Sequence, residues 1–155
     1  MKIQDFNINK NSTPFFVAEI SGNHAGSFDR ASEILEKIAQ SGAQAIKFQT
    51  FSPDRMTLDI KHGDFVINDK KSIWYGKNLY QLYKEAMTPR SWFKPLFQKA
   101  KKLGLIAFSS PFDETSVDFL EELKVPLYKI ASYEIVHLPL IKKVAKTGKP
   151  LIFST

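Results

Sequence analysis

The sequence predicts an α/β fold built on a parallel sheet, and three observations carry that expectation. Short apolar runs recur at Phe15–Ile20, Ala45–Thr50, Leu105–Ser110, Leu127–Glu134 and Pro150–Thr155. Amphipathic helical patterns separate most of them, and each run ends in polar residues. Strand and helix alternating at this spacing imply right-handed crossovers, and hence parallel pairing.

Taken in order, residues 1–14 carry a spaced Ile3, Phe6 and Ile8 and read as a strand or hairpin packed beneath the sheet. The first strand, Phe15–Ile20, runs into Ser21-Gly22-Asn23-His24. A helix follows over 31–41, where Ala31, Ile34, Leu35, Ile38 and Ala39 form a stripe of period 3.6. After the second strand, residues 51–87 are far too long for an ordinary strand-to-helix loop. They read as a functional insertion or lid and also as a small satellite core over the carboxyl edge of the sheet, since a lid needs such a core. This segment carries Trp74, Tyr75, Tyr80 and Tyr83 and a short helix over 79–86. Thr88-Pro89 starts the next helix, 92–103, with Trp92, Phe93, Leu96, Phe97 and Ala100 on one face. Asp113 is the expected N-cap of a helix over 116–123, and Gly148 the expected C-cap of one over 138–145.

In parallel α/β proteins function collects at the carboxyl ends of the strands. Glu19, Lys47, Gln49, Ser109, Ser110, Lys129, Ser132, Glu134 and Ser154 all fall at or near those ends. The stretch Leu127–Glu134 is read as one buried strand with Lys129, Ser132 and Glu134 set into or just after it. On a strand Lys129 faces opposite to Tyr128 and Ile130. A lysine within a buried strand calls for an anion partner; the alternative is a lysine snorkelling from an edge strand. Glu19, between Ala18 and Ile20, is expected to be a buried charge, with an ion pair to Lys47 as its structural alternative.

Composition excludes several classes. The chain has 155 residues, 43% of them hydrophobic, enough for one globular domain or part of one. It has no cysteine, which removes thiolate chemistry and disulfides and suits a reducing cytoplasm. Residues 1–12 lack the apolar segment of a signal peptide, and no run reaches the roughly 18 apolar residues of a membrane helix. The net charge of +6 is modest, and its lysines are spread over presumed helix surfaces (Lys99, Lys101, Lys102, Lys142, Lys143, Lys146, Lys149), which argues against a nucleic-acid track. The histidines His24, His62 and His137 have no metal-ligand spacing.

Five ordered motifs, Val17–His24, Ala45–Thr50, Phe108–Asp113, Tyr128–Ser132 and Gly148–Thr155, resemble the N-acetylneuraminate (sialic acid) synthase family. Ile20–His24 and Trp74–Pro89 are most similar to its pseudaminic acid synthase branch. Ala25 departs from a common asparagine, and Ser110 from the usual threonine while keeping the hydroxyl.

The resemblance implies a (β/α) barrel of TIM type, truncated to about five strands and four helices, with 1–14 as an N-terminal cap and 51–87 as an insertion. A complete barrel needs about 250 residues, so the second half-barrel and an antifreeze-like domain are expected to lie outside this chain. The implied reaction condenses phosphoenolpyruvate with an acetamido-sugar aldehyde to a nine-carbon 2-keto acid, releasing phosphate. Lys47, Lys129, Ser132, Ser154 and Ser110 are expected to hold phosphoenolpyruvate. Glu19 is expected to be catalytic, and Gln49, Glu134, Asn23 and His24 to meet the sugar. A divalent metal, Mn or Mg, is implied with ligands outside this chain, as are a homodimer, a cytoplasmic location and no activity of the chain alone.

Two other functions remain open on the residues themselves. Lys129 suits a Schiff-base aldolase, since a buried strand lysine is a usable nucleophile. A non-catalytic phospho-ligand or assembly module is the other.

Overall fold

A computed structural model describes residues 1–154. The first two strands, β1 (Lys2–Ile3) and β2 (Phe6–Asn7), form an antiparallel hairpin. Five more strands make a second sheet: β3 (Val17–Glu19), β4 (Ala45–Thr50), β5 (Ile106–Pro111), β6 (Tyr128–Ile130) and β7 (Leu151–Phe153). Their order in space is their order in sequence, and every pairing is parallel, as the alternation predicts.

The helices begin and end where side chains satisfy their free backbone groups. Helix α1 (Phe28–Gln40) is capped by Ser27, whose hydroxyl accepts from the Arg30 N–H at 3.2 Å. Two helices lie in the insertion, α2 (Pro53–Met56) and α3 (Leu79–Ala86), the second capped by Asn78. Helix α4 (Arg90–Lys102) starts directly after Pro89. Asp113 caps α5 (Glu114–Glu122), as its spacing predicts, and accepts from the Ser116 N–H at 2.9 Å. Helix α6 (Leu138–Lys146) stops at Thr147, and Gly148 follows with φ of 69°, the left-handed conformation that ends helices.

The two faces of the sheet divide the core. Ile46 and Phe48 of β4, with Ala107 of β5, pack against α1 and α4 through Leu35, Phe93 and Leu96. Tyr128 and Ile130 of β6 pack on the same side against α5 and α6 through Leu120, Leu140 and Val144. The opposite face begins with an apolar layer of Ala45, Ile106, Phe108 and Leu127, and Ile3 of the hairpin is inserted into it with no exposure. All crossover helices on one face, with the other closed at its amino end by the hairpin, is half of a (β/α) barrel. Within the five strands, β3 and β7 are paired on one side only.

One boundary differs from the expectation. The stretch Leu127–Glu134 is not a single strand: β6 ends at Ile130, and Ser132–Val136 form a 3-10 turn in which the Glu134 N–H donates to the Ala131 carbonyl at 3.1 Å. The sheet beside β6 is itself short, with β7 ending at Phe153, so the chain beyond Ile130 turns to satisfy its own backbone.

Candidate active site

Side-chain alternation carries Glu19, Lys47 and Lys129 to the inner face, beyond the apolar layer. Glu19 and Lys47 are register partners across β3 and β4, and their charged atoms, Oε1 and Nζ, lie 3.0 Å apart. The Lys47 side chain is 9% exposed and that of Glu19 57%. Glu19 is therefore not the buried charge expected from its apolar neighbours, because β3 is an edge strand and leaves the carboxylate open.

Lys129 is half-buried and donates to the Ile130 carbonyl at 2.9 Å and to the Ser154 hydroxyl. Burial, then the neighbouring charge of Lys47, holds its pKa below the ordinary lysine value, while Glu19 and Glu134 pull the other way. The ammonium is thus poorly solvated, close to a second cation, and bonded only to neutral oxygens. An anion arriving between the two lysines would relieve both burdens. Ser110, 1% exposed, has a hydroxyl with no hydrogen-bond partner among the described residues. Buried polar atoms are normally satisfied, so this hydroxyl has a hydrogen bond still to give or accept.

Above this cluster opens a cavity of about 830 Å³ at the carboxyl ends of β4 and β5. Gln49, Asn23 and Glu134, all expected at a sugar, line it together with Ser21 and Gly22. Gln49 Oε1 accepts from the Ser21 hydroxyl at 3.2 Å. Burial raises the Glu134 pKa, and its Oε2 is a second buried atom without a partner among the described residues.

The insertion forms the far wall, with Phe51, Trp74 and Tyr83. Within it Phe51 packs edge-on to Tyr83, Tyr80 donates to Asp54 at 2.8 Å and Asn78 to Asp59 at 3.1 Å, and no residue of α3 is fully buried. Gly22 lies against its end. A Cβ at Gly22 would sit 3.3 Å from the Ala86 carbonyl oxygen, so the two segments meet at a distance that suits glycine.

Two expected residues are placed elsewhere. His24 is fully buried; its Nδ1 accepts from the Gly26 N–H, its Nε2 meets the Thr88 hydroxyl at 3.1 Å, and its ring packs edge-on to Trp92. Burial lowers its pKa. It ties the loop after β3 to the end of the insertion and does not face the cavity. Ser132 stands exposed at the start of the 3-10 turn; it neither lines the cavity nor bonds Lys129. The ring of Phe112 is a cavity residue that the sequence reading missed. Its signal was position: Phe51 and Phe112 each follow the last residue of a strand.

Among the described residues no group of three His, Cys, Asp or Glu could hold a metal ion. No helix among them is long and apolar enough to cross a membrane.

Parallel strands, helices on one outer face and an open cavity at the carboxyl ends are the features of a (β/α)-barrel protein, here seen over five strands. The NeuB family model matches residues 34–155. A pseudaminic acid synthase of Helicobacter pylori is 47% identical over 92% of the chain and 41% of its own length. One from Campylobacter jejuni is 41% identical over 100% of the chain and 44% of its own length. The crystal structure of a sialic acid synthetase from Leptospira borgpetersenii superposes with a TM-score of 0.82 at 25% identity, over 99% of this chain and 48% of that one. The chain belongs to the NeuB family. It spans less than half the length of the curated relatives it matches.

Proposed function

We propose that this chain is the substrate-gathering, amino-terminal part of a synthase that joins phosphoenolpyruvate to an acetamido-sugar aldehyde, giving a nine-carbon 2-keto acid of pseudaminic or sialic type. The observation that carries this reading is the separation of charge at the carboxyl ends. Lys47 and Lys129 stand on the inner face, whereas the cavity above them is lined by Glu85 and Glu134 and by no lysine or arginine. A phosphate and a carboxylate suit the first place, with hydroxyls from Ser110 and Ser154 completing the donors. A neutral polyhydroxy amide suits the second, where Gln49, Asn23 and Glu134 offer both donors and acceptors.

In the reaction, the methylene carbon of phosphoenolpyruvate bonds to the aldehyde carbon, whose oxygen takes a proton and becomes a hydroxyl. Water adds to the former enol carbon, and phosphate leaves as the carbon–oxygen bond breaks. Glu19, held beside Lys47 and open to solvent, is the carboxylate available to that water. A homodimeric cytoplasmic enzyme, using Mn or Mg held by residues outside this chain, completes the proposal. The pseudaminic acid synthase relatives support the sugar class.

The test is isotopic. Phosphoenolpyruvate carrying ¹⁸O in its carbon–oxygen–phosphorus bridge is supplied with an acetamido aldose to the enzyme that contains this chain. The label is expected in the released phosphate; label retained in the keto acid would overturn the reading. The lowered pKa of Lys129 favours one competitor, a Schiff-base aldolase. Borohydride trapping of pyruvate on Lys129 would establish it, and resistance to trapping would remove it.

A further inference from the structure

Charge separation leaves one feature of the cavity unexplained: its insertion side is aromatic. The rings of Tyr83, Phe51 and Phe112 run edge to face, with centroids 5.8 Å and 5.6 Å apart. The Phe112 N–H donates to the Thr50 carbonyl at 3.3 Å, so the backbone bonding of β4 with β5 continues to Phe112, and Phe51 directly follows Thr50. Trp74, 46% exposed, reaches the same cavity from the insertion. Phe48, Phe93 and Phe108 are closed off in the core at 0% exposure. Phe51, Tyr83 and Phe112 are instead all half-buried and line open space.

A row of partly exposed rings facing a cavity is a surface for an apolar group. The carbon chain of an open-chain polyol carries a hydroxyl at nearly every carbon, and the polar residues Gln49, Asn23 and Glu134 of the same cavity suit those groups better than the rings do. The apolar part of an acetamido sugar is the acyl methyl. Its amide oxygen needs a donor, and Gln49, whose Oε1 is engaged by the Ser21 hydroxyl, lines the same cavity and has an amide N–H to offer.

We propose that Phe51, Tyr83, Phe112 and Trp74 form an acyl-methyl subsite that sets the preference for an N-acetylated sugar. This rests on the synthase reading above and deepens it. The rings would act as specificity determinants through contact with the substituent, distant from the carbon–carbon bond being made.

The test compares an acetamido aldose with its formamido analogue, which lacks only the methyl, in the enzyme that contains this chain. Wild type is expected to favour the acetamido sugar about ten- to two-hundredfold in kcat/KM, the range one methyl commands in a fitted pocket. Tyr83→Ala and Trp74→Ala should cut that ratio to about threefold or less, the KM for phosphoenolpyruvate staying within about twofold. Tyr83→Phe should keep the ratio, because the ring and not the hydroxyl is required. Melting curves identify any variant that fails to fold, and a binding measurement on wild type stands beside the kinetics. The acetamido sugar should shield Trp74 from acrylamide quenching more than the formamido sugar does, a difference absent in Trp74→Phe. An unchanged ratio in both alanine variants, or no preference in wild type, would overturn the subsite while leaving the synthase intact. If neither sugar supports consumption of phosphoenolpyruvate, the synthase reading itself falls and the subsite with it.

Discussion

Lys47 Nζ lies 3.0 Å from Glu19 Oε1, so the first two parallel strands are joined by charge where the inner face opens to solvent. Lys47 is only 9% exposed, but the Glu19 side chain is 57% exposed, so solvent reaches and screens the pair from the carboxylate side. Exposed pairs contribute about 0.2–1 kcal/mol. Glu19→Gln is therefore expected to leave the melting temperature nearly unchanged while lowering turnover, with little effect on the KM of either substrate. Matched melting and turnover measurements check this. A large melting loss with normal turnover per folded molecule would make Glu19 structural.

Lys129 supplies the second prediction. Losing a charge-assisted contact to phosphoenolpyruvate costs about 1.5–3 kcal/mol, so Lys129→Ala should raise the phosphoenolpyruvate KM roughly ten- to a hundredfold and leave the sugar KM nearly alone. Burial and Lys47 lower its pKa, so the ammonium loses its proton at a lower pH than a free lysine would. The folded chain then binds fewer protons than the unfolded chain between the lowered and ordinary values. The stability penalty of burying the charge is thus present below the lowered pKa and relieved as pH rises through it. Phosphoenolpyruvate affinity should weaken over the same rise, and Lys129→Arg should move that loss to higher pH. A titration of affinity against pH in both proteins decides it.

Asp113 gives a prediction independent of function. Burial pushes its carboxyl pKa up, but bonds from the Ser116 hydroxyl at 2.6 Å, the Thr115 hydroxyl at 2.6 Å and the Ser116 N–H outweigh this, and the net shift is downward. Its contribution is therefore complete above its ordinary value of 3.8 and is lost as pH falls through the lowered one. Asp113→Ala should cost about 1–2 kcal/mol near neutrality, as N-caps do. Urea unfolding at a series of pH values should show the two proteins converging in acid.

The isolated 155-residue chain should self-associate. Strands β3 and β7 each have one side unpaired among the described residues, and Phe16, Phe153, Leu138 and Val136 expose 62%, 46%, 60% and 79% of their surface. Sedimentation over a concentration range measures this; a monodisperse monomer that melts cooperatively would contradict it.

The strand–helix order was legible because each strand buries one set of alternate residues under helices, so Ile46 with Phe48 and Tyr128 with Ile130 announce themselves. Lys47, Gln49 and Lys129 were legible as their opposites on the same strands. Alternation says nothing about what covers a residue from another part of the chain. Glu19 read as buried because its sequence neighbours are apolar, though no strand pairs with the far side of β3 among the described residues. His24 could be read either as an active-site or as a structural residue, because the partners that decide it, Thr88 and Trp92, are more than 60 residues away. The Leu127–Glu134 stretch read as one strand because the pattern of apolar residues carries no information on where backbone pairing ends.

The insertion has a consequence for inheritance. Phe51, Trp74 and Tyr83 come from one continuous segment between β4 and α4, whereas Lys47, Ser110 and Lys129 sit on strands of the sheet. Replacing that single segment would exchange most of the apolar wall while the lysines kept their places. Descendants of one such gene could thus diverge in the sugar they accept by recombination at two points in the chain, leaving the shared half of the chemistry untouched.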